Sequence, residues 1–218
     1  MMRLVFASNN AHKLSEVRQI MPSHVEVLSL RGIGFEAEIE EPGATLEENS
    51  RIKAATVAAF IGERLEVRGE RIDGVFADDT GLEIDALGGI PGVHTARWYN
   101  SDGEGIVVHT DQENFAANRA KALRELAGQE NRGCQFRTVI TLIKPTPTLP
   151  EGKEIIQVEG VVRGRITTEE YGQGGFGYDP IFIPEGYDKT FGELPAEIKN
   201  NISHRARALE ALVKVLNC

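Results

Sequence analysis

The sequence predicts an α/β fold with a twisted mixed sheet and flanking helices. Short apolar runs typical of strands alternate with segments of helical spacing along the whole chain of 218 residues. Residues 135–144 and 155–165 read as two strands joined by a Pro-rich tip, and a hairpin of this kind is antiparallel. There is no internal repeat and no clear linker. The length suits one domain, residues 1–218, with two lobes.

The first half of the chain begins with a predicted strand over residues 3–8, followed by a polar break. Asn10 is a plausible N-cap for the helix that follows, whose apolar positions have helical spacing. Residues 31–44 are Gly-rich and acidic and predict a loop. Thr45 and Glu48 then match a capping box, which starts a helix that runs to about Phe60.

A second buried strand is predicted over residues 75–77, ending at the polar run 78–81. Residues 88–105 are rich in glycine and predict an extended loop, and a second capping box at Thr110 opens a helix to about Leu126. After the hairpin, residues 172–184 read as irregular. Ser203 is a candidate cap for the last helix, which carries an apolar stripe.

Composition restricts the class of protein. The formal net charge of −9 argues against a nucleic-acid-binding protein, which needs a basic surface. It leaves open a small polyanion that arrives with Mg²⁺. The two cysteines, Cys134 and Cys218, do not make a disulfide framework, and no signal peptide or membrane span is evident. We therefore expect a cytoplasmic protein without a membrane partner.

One GxGxxG match, formed by Gly172, Gly174 and Gly177, is a weak signal. A dinucleotide-binding turn follows a strand and opens a helix, whereas here Pro180 comes soon after the last glycine. We interpret the segment as a flexible loop.

Four other segments carry groups that suit phosphate, metal and base. The start of a helix after a strand favours phosphate binding, and Lys13 adds a positive charge in the first turn. The alternative is an ordinary capped helix with a solvated lysine. The residues of this segment are Ser8, Asn9, Asn10, Ala11, His12 and Lys13.

Acidic residues occur at two places that could serve a metal. Glu40 and Glu41 precede the helix on which Asn49 and Lys53, four residues apart, share a face. Asp78 and Asp79 directly follow an apolar strand, where burial is costly without a partner such as Mg²⁺. The alternatives are a solvated acidic loop and an Asp-rich turn with Gly81 in the left-handed region.

The fourth segment is the glycine-rich stretch with Phe176 and Tyr178, whose rings could stack on a base. Lys199, His204 and Arg205 supply donors near a helix start. The alternative is a rigid turn beside a charged, capped helix. Together, the four segments hold the groups that a nucleoside triphosphate hydrolase needs.

Long motifs resemble the inosine triphosphate pyrophosphatase family, whose members are also called dITP/XTP or non-canonical purine NTP pyrophosphatases. The motifs are SNNAHK at 8–13, FADDTGLEIDALGGIPGVHTARW at 76–98, GGFGYDPIF at 174–182 and ISHRARAL at 202–209. They are specific, keep the family's order and extend over most of the chain. His12 stands where many members have Gly, and the segments 99–110 and 145–153 look longer than in compact members.

The resemblance implies two lobes that flank a deep cleft, a homodimer and a Mg²⁺ requirement. It implies that Glu41 and Asp79 bind the metal and that Asp79 is the general base. The positions it assigns to substrate binding are Ser8, Asn9, Asn10, Ala11, His12, Lys13, Thr80, Phe176, Gly177, Tyr178, Asp179, Lys199, His204 and Arg205. Lys53 is added to these positions because its positive charge could offset that of the phosphates.

The resemblance implies hydrolysis of ITP, dITP or XTP to the monophosphate and pyrophosphate. In this hypothesis Asp79 helps to deprotonate a water that attacks the α-phosphorus, while Lys13 and Lys53 offset phosphate charge. Donors from Lys199, His204 or Arg205 would satisfy a 6-oxo group and reject adenine. The alternatives are a phosphohydrolase that releases orthophosphate from ordinary NTPs, a non-catalytic nucleotide sensor and an RNA-binding protein.

Overall fold

The structure, a computed structural model, describes residues 1–62, 66–67, 69–101, 103, 106–146 and 152–216. The chain forms two compact units, each assembled from separate segments. The first unit contains Met1–Asp79, Thr138–Gly160 and the chain from Arg205 onward, and the second contains Thr80–Arg137 and Val161–His204. That residues 1–218 form one domain stays a prediction.

The regular elements alternate along the chain as the sequence predicts. The strands are β1 (Met2–Phe6), β2 (Val25–Ser29), β3 (Glu66–Val67), β4 (Glu70–Arg71), β5 (Gly74–Ile84), β6 (Pro91–Gly92), β7 (Gly133–Pro145), β8 (Lys153–Ile166) and β9 (Phe182–Pro184). The α-helices are α1 (Ala11–Ile20), α2 (Leu46–Ile61), α3 (Asp111–Glu125), α4 (Ala196–Ile202) and α5 (His204–Leu216). Short 3-10 helices cover Arg31–Ile33, Asp85–Leu87, Thr95–Asn100 and Asp179–Ile181.

Within the described residues, the main sheet has seven strands in the order β2-β1-β5-β7-β8-β9, with β6 paired to β5. β1 runs parallel to both β2 and β5. β6 is antiparallel to β5, and β9 is antiparallel to β8. The predicted mixed sheet is therefore confirmed. β7 and β8 are neighbours, as the predicted hairpin requires, although its tip residues 147–151 lie outside the described part of the chain.

Side-chain caps fix the starts of the predicted helices. The hydroxyl oxygen of Thr45 accepts a hydrogen bond from the Glu48 amide at 3.1 Å, and Thr110 does the same for the Glu113 amide at 3.2 Å. Each hydroxyl satisfies a donor that has no partner within its helix, which is why these residue types favour a helix start. The last helix, α5, begins at His204, directly after Ser203.

Two apolar clusters form the core of the first unit. Phe6 and Phe76 pack with Val17 of α1 and Leu209 of α5. Val5, Val75 and Ala77 instead pack with Ala54 and Val57 of α2. Because successive side chains of a strand point to opposite faces, α1 and α5 cover one face of β1 and β5, and α2 covers the other.

The second unit has its own core, which includes the side chains of Leu82, Trp98, Leu126, Phe136 and Phe182. Part of it comes from the segment 88–105, for which a loop is predicted. That prediction is wrong in part, since the segment contains β6 and the 3-10 helix Thr95–Asn100. The Thr95 hydroxyl accepts from the Leu82 amide at 2.8 Å, and Trp98 is only 4% exposed, so tertiary contacts order a glycine-rich stretch.

Among the described residues, no helix has the length and apolarity to cross a bilayer. Cys134 has a buried free thiol group. Burial raises the pKa of this thiol to about 12. Cys218 and residues 102, 104 and 105 of the segment 99–110 lie outside the described residues.

Candidate functional site

The adjacent acids Asp78 and Asp79 lie inside strand β5, which continues to Ile84. The prediction that the strand ends before Asp78 is therefore wrong, and so is the alternative of a turn at Gly81. Both carboxylates are buried, with residue exposures of 1% for Asp78 and 7% for Asp79. The strand can hold two buried acids because each finds a cationic partner on its own face of the sheet.

Strand alternation sends the two carboxylates in opposite directions. Asp78 shares the face of Phe76, which is covered by α1 and α5, whereas Asp79 shares the face of Ala77, which is covered by α2. Lys13 of α1 and Arg205 of α5 contact the first carboxylate, and Lys53 of α2 contacts the second. The first unit therefore holds two clusters of charged side chains, one on each face of β5.

Asp78 uses both carboxylate oxygens in ion pairs. Lys13 Nζ lies 2.9 Å from Oδ1, and Arg205 Nε lies 3.2 Å from Oδ2. The Arg205 guanidinium also donates through Nη1 to Glu16 Oε2. Burial alone would raise the pKa of Asp78, but the charges of Lys13 and Arg205 outweigh it and hold this pKa well below its ordinary value. Asp78 is thus an ionised carboxylate that ties α1 and α5 to the strand.

On the opposite face, Lys53 joins two acids. Its Nζ donates to Asp79 Oδ1 and to Glu41 Oε2, each at 2.8 Å. Asn49, one turn earlier on α2, accepts from the Gly43 amide at 2.8 Å and so fixes the loop that carries Glu41. The predicted common face of Asn49 and Lys53 is confirmed, because both side chains are buried.

Burial and charge act against each other at these acids. Burial raises the pKa of Asp79 despite the nearby Lys53. For Glu41, burial acts in the same direction, but the positive charge of Lys53 outweighs it and lowers the pKa. The surrounding carboxylates raise the pKa of Lys53 although its burial opposes this, so the lysine stays charged.

The donor set fits a hard cation. Two carboxylates converge on one ammonium group, and Mg²⁺ takes oxygen ligands of this kind. Within the described residues no group of three or more His, Cys, Asp or Glu side chains could hold a metal. Mg²⁺ is usually bound by one or two carboxylates together with substrate phosphates and waters.

The segment Ser8–Lys13 forms the predicted capped helix start. Asn10 Oδ1 accepts from the Lys13 amide at 3.0 Å, and the Ser8 hydroxyl accepts from the Asn10 amide at 3.3 Å. Asn9, Asn10, Ala11 and His12 are exposed, and Ser8 and Lys13 are half-buried. The cap places the Lys13 side chain at Asp78, whereas contact of this segment with phosphate stays a prediction.

Replacing Asn10 with Ala should lower the free energy of unfolding by about 1 kcal/mol, the usual cost of losing an N-cap. The Lys13 amide would lose its acceptor, and α1 would fray where it supports Lys13. Urea denaturation of the purified variant measures the change. Asn10→Ser, which keeps a capping oxygen, is the matched control, and equal losses in the two variants would contradict a capping role.

In the second unit, hydrogen bonds close the predicted irregular loop on itself. Asp179 Oδ2 accepts from the Phe176 amide and from Lys199 Nζ, both at 2.7 Å. Gly175 has a positive φ of 72°, and a Cβ there would lie 2.0 Å from Asp179 Oδ2, so glycine is required. The loop, residues 174–179, is called the aromatic loop below.

The two aromatic residues of this loop have different environments. Tyr178 is 4% exposed, and its hydroxyl donates to the Thr95 carbonyl at 2.9 Å, so it anchors the loop in the core. Phe176 is half-buried, and Lys199 Nζ lies 4.5 Å from its ring centroid. Of the two rings, Phe176 is therefore the more exposed.

The three donors grouped by the sequence have different partners in the structure. Lys199 contacts the aromatic loop, and the buried His204 ring stacks on Phe136 with centroids 4.9 Å apart. Arg205 belongs to the first unit and pairs with Asp78 and Glu16. Thr80 follows Asp79 in β5 and is half-buried. The glycines of the GxGxxG match precede only a short 3-10 helix, which confirms the interpretation as a loop.

Sequence reasoning missed Glu16. It lies one turn after Lys13 on α1, so the spacing alone could have placed both on one helix face. Its partner Arg205 is 189 positions away in the sequence, and no local pattern reveals that pairing.

The fold and these two groups of side chains define an α/β protein with a buried acid–lysine site in one unit and an aromatic loop in the other. Comparison with known proteins agrees with the motifs. The Ham1 family model matches residues 4–215. The chain belongs to the Ham1 family, and the predicted resemblance is confirmed.

The chain is similar over its full length to curated relatives. It is 42% identical to the dITP/XTP pyrophosphatase of Flavobacterium johnsoniae, covering 99% of this chain and 98% of that protein. It is also 42% identical to the dITP/XTP pyrophosphatase of Bacillus subtilis, with the same coverage of 99% and 98%.

Solved structures support the fold. The Staphylococcus aureus Ham1 protein has a TM-score of 0.77 at 33% identity, covering 99% of this chain and 98% of that one. A HAM1 protein from Coxiella burnetii has a TM-score of 0.78 at 32% identity, covering 100% and 99%. The predicted α/β fold, a mixed sheet with flanking helices, is thus confirmed.

Proposed function

We propose that this protein hydrolyses the non-canonical purine nucleoside triphosphates ITP, dITP and XTP to the monophosphate and pyrophosphate. In this proposal it acts in the cytoplasm as a homodimer and uses Mg²⁺. The observation that carries the proposal is the convergence of Glu41 and Asp79 on Lys53, which provides acids for a metal beside a buried positive charge. The names of the relatives, dITP/XTP pyrophosphatases, support the substrate class.

Glu41 and Asp79 would hold the metal, because both carboxylates face the same point on the α2 side of β5. When bound, Mg²⁺ supplies charge neutralisation at the phosphates and lowers the pKa of a water molecule. Asp78 is not proposed as a ligand, since both of its oxygens are engaged by Lys13 and Arg205 on the other face.

Asp79 takes the proton of the attacking water in the proposed reaction. The water oxygen forms a bond to the α-phosphorus, the bond from that phosphorus to the bridging oxygen breaks, and pyrophosphate leaves with the bridging oxygen. Lys13 and Lys53 are placed beside the carboxylates and stabilise the negative charge that builds up on the phosphates. The segment Ser8–His12, at the exposed start of α1, would contact the phosphates.

The aromatic loop of the second unit would bind the base. Phe176 stacks on it, which gives affinity without selectivity. Lys199 and His204 are the donors assigned to the 6-oxo group of hypoxanthine or xanthine, and adenine would leave such donors unpaired. Tyr178 and Asp179 act by fixing the loop, and Gly177 by its positive φ of 64°.

Arg205 needs a different role from that of a base donor. Its guanidinium side chain is 3% exposed and pairs with Asp78 and Glu16, so we assign it to holding Asp78 and, through it, Lys13. Thr80, next to Asp79, stays a predicted substrate contact.

A substrate panel tests the proposal. Purified protein is incubated with ITP, XTP, GTP and ATP, with and without Mg²⁺, and pyrophosphate and orthophosphate are quantified separately. We expect pyrophosphate from ITP and XTP only, and loss of the activity on chelation. Orthophosphate as the product, or equal turnover of ATP and GTP, would contradict the proposed function.

A further inference from the structure

Arg119 of α3 contacts the aromatic loop although no sequence motif includes it. Its Nη1 donates to the Gly177 carbonyl at 2.9 Å. Its Nε lies 2.9 Å from Glu170 Oε1, as an ion pair without hydrogen-bond alignment. The arginine side chain is 15% exposed, against 42% for Glu170. A mostly buried guanidinium thus connects α3 to the backbone at the tip of the loop.

A second contact comes from the same face of α3. Phe115 precedes Arg119 by four residues, which places the two side chains next to each other on the helix. The Phe115 ring centroid lies 6.1 Å from that of Phe176, with the planes tilted by 46°. The helix therefore contacts both the Phe176 ring and the carbonyl of the next residue, Gly177.

Hydrogen bonds fix the residues on both sides of Gly177, and Arg119 holds the Gly177 carbonyl itself. Asp179 fixes the Phe176 amide, and Lys199 fixes Asp179. Gly177 has a positive φ of 64°, and a Cβ there would meet nothing within 4 Å. Glycine rotates readily between backbone conformations, and the turn around Gly177 is closed by a long bond of 3.3 Å from the Asp179 amide to the Phe176 carbonyl. The charge-assisted bond from Arg119 adds a shorter contact, 2.9 Å, at the Gly177 carbonyl.

We propose that Arg119 is a positioning residue that holds the Phe176–Gly177 segment in the conformation that presents the Phe176 ring to the purine base. This inference rests on the proposed function, since it takes the base to be the group that Phe176 meets. Arg119 acts through the loop and does not touch the substrate. Its loss should weaken binding of ligands that carry a base and spare ligands that consist of phosphate alone.

Two ligands separate this role from a general structural one. Inosine monophosphate carries the base, and its binding is measured by calorimetry without any need for turnover. Inorganic tripolyphosphate carries only phosphates, and its binding is measured by calorimetry and, where the protein is active, also by competitive inhibition of pyrophosphate release from ITP. A merely structural role would weaken both ligands or neither, whereas a positioning role weakens the first alone.

The variants are Arg119→Met, which removes both polar contacts, and Arg119→Lys, which keeps the charge. Arg124→Met is the matched control, because Arg124 lies on the same helix and its side chain is 51% exposed. For Arg119→Met we expect inosine monophosphate affinity to fall and the KM for ITP to rise by at least about fivefold, the scale of a lost charged hydrogen bond. The kcat and the inhibition constant of tripolyphosphate should change less than about twofold, and Arg119→Lys should recover part of the affinity.

Unchanged inosine monophosphate affinity in Arg119→Met, or an equal loss of tripolyphosphate affinity, would overturn the proposal. The test is distinct from that of the function itself. If the wild-type protein binds inosine monophosphate but releases no pyrophosphate from ITP, the proposed function fails, and the calorimetric comparison of the variants still decides the role of Arg119.

Discussion

Asp79→Asn should lower the rate of pyrophosphate release from ITP by at least about a hundredfold, the usual lower bound for losing a positioned base. The substitution also removes one of the two carboxylates that face the proposed metal position, so the Mg²⁺ concentration needed for half-maximal rate should rise. Lys53 keeps its second partner, Glu41, which limits the structural damage. The rate and its Mg²⁺ dependence are measured with a pyrophosphate assay.

Asp188→Asn is the matched control for this prediction, because Asp188 is exposed and has no assigned role. Circular dichroism of both variants establishes that the fold is retained. An Asp79→Asn variant that is folded and keeps its activity within about threefold of the wild type would remove Asp79 from the chemistry and leave a nucleotide-binding protein as the better account.

Asp78→Asn should be the most destabilising of these substitutions, at about 3 kcal/mol or more, because it leaves the half-buried charge of Lys13 and the buried charge of Arg205 without their shared partner. Removing one member of a buried ion pair costs far more than removing an exposed one. The surface pair of Arg3 with Glu26 provides the control, since the Glu26 side chain is 43% exposed and Glu26→Gln should cost less than about 1 kcal/mol. Urea denaturation in the presence of a chelator measures both.

The pH dependence of stability gives a second readout for Asp78. Its pKa is lower in the folded protein than in the unfolded chain, so its stabilising contribution is complete above the unfolded pKa, near 3.9, and is lost as the pH falls through the folded pKa. The difference in unfolding free energy between wild type and Asp78→Asn should be constant near neutral pH and shrink below about pH 4. A difference below about 1 kcal/mol at neutral pH would contradict the buried ion-pair network.

Local signals predicted the fold well. The capping residues Asn10, Thr45 and Thr110 set the starts of three helices because each cap acts on an amide only three residues away. The sequence alternation of residues 135–165 predicted two neighbouring strands. Signals of this range are contained in the sequence itself and do not depend on which segments meet in space.

The environment of the two acids in β5 could not be predicted in the same way. A strand that continues through Asp78 and Asp79 depends on partners 26, 65 and 127 positions away, namely Lys53, Lys13 and Arg205. Without those partners an acid pair after an apolar run favours a turn, which is what the sequence suggested. The different partners of Lys199, His204 and Arg205 have the same origin, because those partners lie elsewhere in the sequence.

The aromatic loop shows a further limit. Phe176 and Tyr178 have the same sequence context, yet their environments differ. The Tyr178 hydroxyl donates to the Thr95 carbonyl and its ring is buried, whereas the Phe176 ring is partly exposed. Arg119 and Glu16 belong to no sequence motif. Only their contacts, with the Gly177 carbonyl and with Arg205, connect them with residues assigned to the site.

Hydrolysis of ITP in ¹⁸O-labelled water tests the central claim most directly. Water that attacks the α-phosphorus places the label in inosine monophosphate and leaves pyrophosphate unlabelled, which mass spectrometry of the two products resolves. We expect the label in the monophosphate alone, and only in the presence of Mg²⁺. Label in pyrophosphate would place the attack at the β-phosphorus and contradict the proposed reaction, and label in orthophosphate would contradict the assignment of this protein as a pyrophosphatase.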